Sequence, residues 1–181
     1  MAILKRGQRR SGPPATRGRL PRRRGARRPD AIGLLREDHE RVLAFFDQFE
    51  RARGGDRKQK LVRQICDELA IHAQLEEEVF YPAVRQAIKD DDLMNEAKVE
   101  HQTAKDLIGQ LQGMSADDDL FDAKTTVLGE YIRHHVREEQ GEMFPQARRA
   151  SLDLVALGDQ LRARKEELTS GIIGRFERML S

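Results

Sequence analysis

Thiols are nearly absent from this chain: its 181 residues include a single cysteine, Cys66. No internal disulfide can brace the fold, which points to a reducing, cytoplasmic setting in which Cys66 is a small buried apolar residue. No apolar run approaches the roughly 20 residues that span a bilayer, and the start of the chain lacks the apolar stretch of a secretory signal, so no membrane partner is expected. Strict alternation of apolar and polar residues is also missing, which removes half-buried strands and leaves an all-α reading. Acids are scarce in one place. The first thirty residues carry eleven of the 33 Lys and Arg but only one of the 31 Asp and Glu, Asp30, so the formal charge of +2 conceals a basic tail on an acidic body.

That tail, residues 1–29, is rich in Arg, Pro and Gly and too poor in apolar residues to offset the entropy of ordering itself, so it reads as disordered. A basic arm of this kind can hold nucleic-acid phosphates by counterion release, but it has no aromatic residue on which bases could stack. An inert solvated extension is the simpler reading. A transit peptide is another, although serines are few.

From Ala31 the apolar residues recur at helical spacing. Leu35, His39, Val42, Phe46 and Phe49 share a face of a first helix that starts near Asp30 and stops at the Gly54–Gly55 pair. A second helix begins at Asp56 and carries Leu61, Ile65, Leu69, His72, Glu76 and Val79, with Pro82 expected to kink or end it. Met94, Ala97, His101, Ala104, Ile108 and Leu111 define a third after Asp90–Asp92. A fourth is expected to start at Ser115, with Asp118 completing a capping box, and to present Val127, Tyr131, His135, Glu139 and Met143. Four such helices with short connections pack most simply as an up-down-up-down four-helix bundle over residues 30–148. Residues 149–181, with Leu154, Leu157, Leu161, Leu168, Ile172, Phe176 and Leu180, form one or two further helices laid against the bundle or a partner.

Four of the five histidines fall on one repeated frame: His39 precedes His72 by thirty-three positions and His101 precedes His135 by thirty-four. The second of each pair has a glutamate four residues on, Glu76 and Glu139. Residues four apart lie on one helix face with Cβ atoms roughly 5–6 Å apart, so each pair can offer a nitrogen and a carboxylate to a common ion. Four imidazoles and two carboxylates on buried stripes would cost several kcal/mol without ligands or hydrogen bonds. A metal relieves that cost. The donor set suits iron or another borderline transition metal, and not an all-oxygen calcium or magnesium cage. His134, about 100° around the helix from His135, should point elsewhere, as should Glu77 and Glu138.

The segments EDHERVLAFF around His39, IHAQLEEEVFYP around His72, VEHQTAKDLI around His101 and HHVREEQGEMFP around His135 resemble the hemerythrin-like, or HHE cation-binding, domain. The stretches His72–Pro82 and His135–Pro145 superimpose without a gap, and ARKEEL near Leu168 resembles a helix that often follows such domains. The resemblance implies a bundle holding a non-haem di-iron centre, two iron ions with His39, His72, His101 and His135 as terminal ligands and Glu76 and Glu139 as bridges. The ferritin-like alternative orders its motif as Glu-x-x-His, not as here. Two positions depart from the oxygen-carrying members: Lys105 stands where they have a histidine, and Gln140 where they have an aspartate, the carboxylate arriving one place earlier as Glu139. Six-coordinate irons would then keep four positions open.

The function implied is binding or sensing of a small molecule, such as oxygen, nitric oxide or peroxide, or of iron level. The alternative is an enzyme that decomposes peroxide or reduces nitric oxide. Tyr131 and Glu68, one turn before His135 and His72, are the expected partners of the ligands and the expected proton carriers. The sequence does not fix the oligomeric state.

Overall fold

The computed structural model describes residues 28–180, and side chains through residue 171. The reading of the basic tail therefore falls, up to residue 27, outside the described residues, as does the packing of Ile172, Phe176 and Leu180. Among the described residues there are helices and connections only.

Helix α1 (Ala31–Arg51) begins where the Asp30 side chain accepts a hydrogen bond from the Gly33 amide at 2.8 Å, which satisfies one of the free amides of the first turn. It ends before Gly54, whose φ of 85° lets the chain reverse into α2 (Gly55–Leu75). Helix α4 (Asp91–Gln112) is capped by Asp90 in the manner of Asp30. Helix α5 (Phe121–Glu138) starts later than the sequence suggests. Ser115 and Asp118 do bond to each other, the Ser115 amide donating to Asp118 Oδ2 at 2.7 Å. Their bond closes a turn, and the helix begins only where Phe121, fully buried and six positions after Ser115, anchors it.

Pro82 does not end the second rod. The helix widens ahead of it into a π-turn, Glu76–Phe80, in which the Tyr81 amide bonds the Glu76 carbonyl, and α3 (Tyr81–Ile88) continues with Pro82 in its first turn. A proline lacks the N–H of the ladder and its ring crowds the carbonyl four residues back; one added residue per turn relieves both. Pro145 repeats the device: Glu139–Met143 is a π-turn, the Phe144 amide bonds the Glu139 carbonyl, and α6 (Phe144–Arg149) follows. Such turns concentrate at functional sites, and each of these begins at one of the two motif glutamates.

Helix α1 packs on α2 and α5, α2 on α4, and α4 on α5, which closes the ring of a four-helix bundle. The C-terminal extension is a single long helix, α7 (Leu154–Leu180), lying against α1 and α2. The apolar core is split in two. One cluster, around Phe46, Ile65, Leu111, Phe121 and Leu128, fills one end; the other, around Ile32, Leu35, Leu75, Phe80, Val84 and Phe144, fills the opposite end and is covered by Leu157 and Leu161 of α7. Between them lies a polar layer.

On α5 the inward face differs from the expected one. Val127 and Tyr131 are about 40 % exposed, at 41 % and 43 %, while Leu128 and Ile132 are buried. Steps of four residues drift by roughly 40° each on a 3.6-residue helix, so a stripe drawn backwards from His135 in fours leaves the core.

Candidate metal centre

The polar layer contains His39 from α1, His72 at the end of α2, Glu76 opening the first π-turn, His101 from α4, His135 from α5 and Glu139 opening the second π-turn, all six buried. Their donor atoms form two groups, His39, His72, Glu76 and Glu139 in one, and Glu76, His101 and His135 in the other, each with ligand atoms within 4.8 Å of one another. The ring nitrogens turn inward: His39 Nε2 and His72 Nε2 are 2.9 Å apart, and His101 Nε2 and His135 Nε2 are 3.2 Å apart. Glu76 spans the two groups, with Oε1 at 3.2 Å from His72 Nε2 and Oε2 at 3.3 Å from His101 Nε2. Glu139 Oε2 lies 3.2 Å from His39 Nε2 and 3.8 Å from His135 Nε2.

Each imidazole meets a polar side chain at its outer edge. His101 Nδ1 is 3.0 Å from Glu77, His135 Nδ1 is 2.7 Å from Glu100, His39 Nδ1 is 3.2 Å from the Gln140 amide, and His72 Nδ1 faces Asp38 at 3.9 Å. A carboxylate behind Nδ1 holds a proton there and turns Nε2 toward the centre. These outer groups are tied in turn: Lys105 binds both oxygens of Glu77, at 2.6 and 2.5 Å, and Asp38 pairs with Arg41 and with Lys165 of α7. Lys105, the residue standing where oxygen carriers have a histidine, thus points at Glu77 and not into the centre. Gln140 takes up the outer edge of His39.

The phenol of Tyr81 enters this layer, which the sequence reading missed. Tyr81 Oη donates to Glu139 Oε1 at 2.9 Å and lies 3.1 Å from His101 Nε2 and 3.5 Å from His135 Nε2 and Glu76 Oε2. On a regular helix the fifth residue after Glu76 would face away; the π-turn bonds i to i+5 and brings Tyr81 over it. The signal was the FYP ending of the first motif beside the MFP of the second, since Tyr81 and Phe144 hold the same place in the repeat. Phe144, without a hydroxyl, stacks near His39 at 5.9 Å between ring centres. The expected partners lie elsewhere. Glu68 pairs with Arg41 at 3.3 Å, and Tyr131 sits at the outer rim of a cavity, neither of them bonded to the six residues. His134 is half-exposed, as its phase implied.

The charges fit a layer that accommodates positive charge. Burial opposes a proton on His72, but Glu76 and Asp38 on either side of the ring raise its pKa to about 10. Burial likewise opposes a proton on His135, and Glu139 and Glu100 raise it to about 9. Burial would also raise Glu76, yet the facing His72 and His101 hold it well below the ordinary carboxylate range. Tyr81 moves the other way: burial, Glu139 and Glu76 push its hydroxyl well above the usual phenol value.

The side chains fit a cation. Glu76 Oε1 and Glu139 Oε2 are buried without any hydrogen bond of usable geometry, a state that costs free energy unless something positive meets them. Nitrogen lone pairs and bare carboxylate oxygens aimed at common points are the donor chemistry of a borderline transition metal. Beside them opens a cavity of about 30 Å³, walled by Val42, Leu69, Ala104, Ile108 and Ile132. It has room for a molecule of about two heavy atoms.

The Hemerythrin HHE cation binding domain family matches residues 30–147. The chain belongs to this family. A DNA nickase of Nostoc sp. is 30 % identical over 111 residues, covering 61 % of this chain and 31 % of that protein. An uncharacterised hemerythrin-like protein of Schizosaccharomyces pombe is 25 % identical over 111 residues, covering 60 % of this chain and 55 % of the yeast protein. The chain therefore spans about a third to about half of the curated relatives it matches. The crystal structure of a hemerythrin HHE cation binding domain-containing protein from Mycobacterium kansasii superimposes with a TM-score of 0.72 at 20 % identity, covering 83 % of this chain and 93 % of that one. That likeness establishes the hemerythrin-like fold. No helix among the described residues is long and apolar enough to cross a membrane.

Proposed function

We propose that this protein holds two iron ions with His39, His72, His101, His135, Glu76 and Glu139, and uses them to bind or sense a small molecule such as oxygen, nitric oxide or peroxide in the cytoplasm. One observation carries the reading: inward nitrogens and two bare buried carboxylate oxygens converge beside an apolar cavity of diatomic size. The irons, when bound, supply open coordination positions and one-electron chemistry. The chain's own residues do the rest. Glu77, Glu100 and Gln140 hold three of the rings from behind, Asp38 faces the fourth at 3.9 Å, apolar side chains line much of the adjoining cavity, and Tyr81 ties one oxygen of Glu139.

Tyr81 also supports an enzyme reading, decomposition of peroxide or reduction of nitric oxide, because a phenol 2.9 Å from a carboxylate and 3.1 Å from an imidazole can pass a proton within the centre. The two readings part on turnover. Iron-loaded protein that shows ligand-dependent absorption bands without consuming peroxide or nitric oxide supports binding or sensing, whereas steady consumption lost in Tyr81→Phe supports the enzyme. Elemental analysis comes first: wild-type protein is expected to carry two irons per chain and Glu76→Ala none. A Glu76→Ala variant with full iron would end both readings.

A further inference from the structure

His134, His135's neighbour on α5, belongs to a separate constellation on the outer face of the bundle. His134 Nε2 lies 3.1 Å from Glu138 Oε1, one turn along the same helix, and 3.5 Å from Glu100 Oε1 on α4. The ligand atoms of these three residues lie within 4.8 Å of one another, and the imidazole is 51 % exposed. The spacing from His134 to Glu138 is the spacing of His72 to Glu76 and of His135 to Glu139, displaced by one residue and hence facing outward. Glu96 and Glu142 add further negative charge around Glu138.

We infer that His134, Glu138 and Glu100 form an additional, solvent-facing site for a divalent transition metal. An imidazole with carboxylates from two packed helices is a donor set for a borderline ion, and water can complete the shell on the open side.

Glu100 gives the site its consequence. Its Oε1 faces His134 while its Oε2 lies 2.7 Å from Nδ1 of the buried His135. An ion on the outer face would draw on the carboxylate that also contacts His135, so occupancy outside bears on the placement of that inner ring. This coupling rests on the inner centre proposed above; the outer site itself does not.

The test is equilibrium dialysis of chelator-stripped protein against Zn²⁺, followed by elemental analysis, for the wild type, His134→Ala, Glu138→Gln and Glu76→Gln. His134→Ala and Glu138→Gln are expected to bind one zinc fewer per chain than the wild type, with unchanged helical circular dichroism. Glu138→Gln repeats the comparison should His134→Ala alter the helicity. Glu76→Gln is expected to lose inner zinc and keep the equivalent that His134→Ala removes. Equal zinc content in the wild type, His134→Ala and Glu138→Gln would overturn the outer site, whatever the inner one does. Full content in Glu76→Gln would instead count against the inner centre alone.

Discussion

Behind three imidazoles of the centre stands a hydrogen-bonded side chain, behind His72 stands Asp38 at 3.9 Å, and in front of each ring stands a glutamate. With protons in place of metal, this arrangement makes the bundle sensitive to alkali. His72 and His135 have pKa values of about 10 and about 9 against 6.5 for a free imidazole. A group raised on folding stabilises the fold fully below its unfolded pKa and ceases to do so as pH climbs through the folded one. Glu76, lowered on folding from 4.5, contributes above that value and is lost as pH falls. The metal-free protein is therefore expected to show its highest urea midpoint between pH 4.5 and 6.5 and a falling one toward pH 10. A metal must displace those protons. Zinc added to metal-free protein near pH 7.5 in weak buffer should release about two protons per chain, one each from His72 and His135. A flat stability profile with no proton release would contradict this account.

At the same scale, the six His and Glu positions were readable because regular helix phase governs all of them up to the start of each π-turn. Tyr81 was hidden because the π-turn shifts every later residue by one place. The outer partners Asp38, Glu77, Glu100 and Gln140 were hidden for another reason: each sits beside a buried position on a charge-rich face, and sequence alone gives no means of choosing it among its neighbours. Counting back one turn points to Glu68 and Tyr131 but neglects the drift that carries them toward solvent.

At the level of elements, helix existence and polarity followed from periodicity and from caps at Asp30 and Asp90, whereas the start of α5 did not, because Ser115 and Asp118 form the bonded pair of a cap within a turn. The duplicated π-turn explains how two prolines sit within otherwise continuous rods. Helix α7 shows a tighter constraint. A Cβ placed on Gly158 would meet the Ala31 amide nitrogen at 2.9 Å and the Asp30 carbonyl carbon at 3.0 Å. Both are backbone atoms that cannot swing aside, and they belong to the capped start of α1. Gly158→Ala should therefore push α7 off α1 and cost about 1–3 kcal/mol, the usual range for overpacking, read from urea denaturation. Gly109→Ala, where a Cβ meets nothing within 4 Å, serves as the control and should be neutral or slightly stabilising.

For the molecule as a whole, the polar layer divides the core, so each apolar end must hold together largely on its own contacts. The end around Ile32, Leu35 and Phe144 is completed by α7, whose Leu157 and Leu161 are 7 % and 1 % exposed. The same helix brings Lys165 onto Asp38, which faces His72, so α7 both covers the core and supports one edge of the centre. Truncation after residue 150 should lose roughly 3–6 kcal/mol from the two leucines alone, at about 1.5–3 kcal/mol for each buried side chain. It should also bare Ala31, Ile32 and Leu35 to a hydrophobic dye and weaken metal retention against a chelator. Lys165→Ala separates the two roles, because it leaves the leucines in place and removes only the ammonium paired with Asp38, which keeps Arg41. If α7 supports the centre through that contact, this variant will release metal faster than the wild type while its urea midpoint stays far nearer the wild type's than the truncated chain's does. Equal release rates would confine α7 to covering the core.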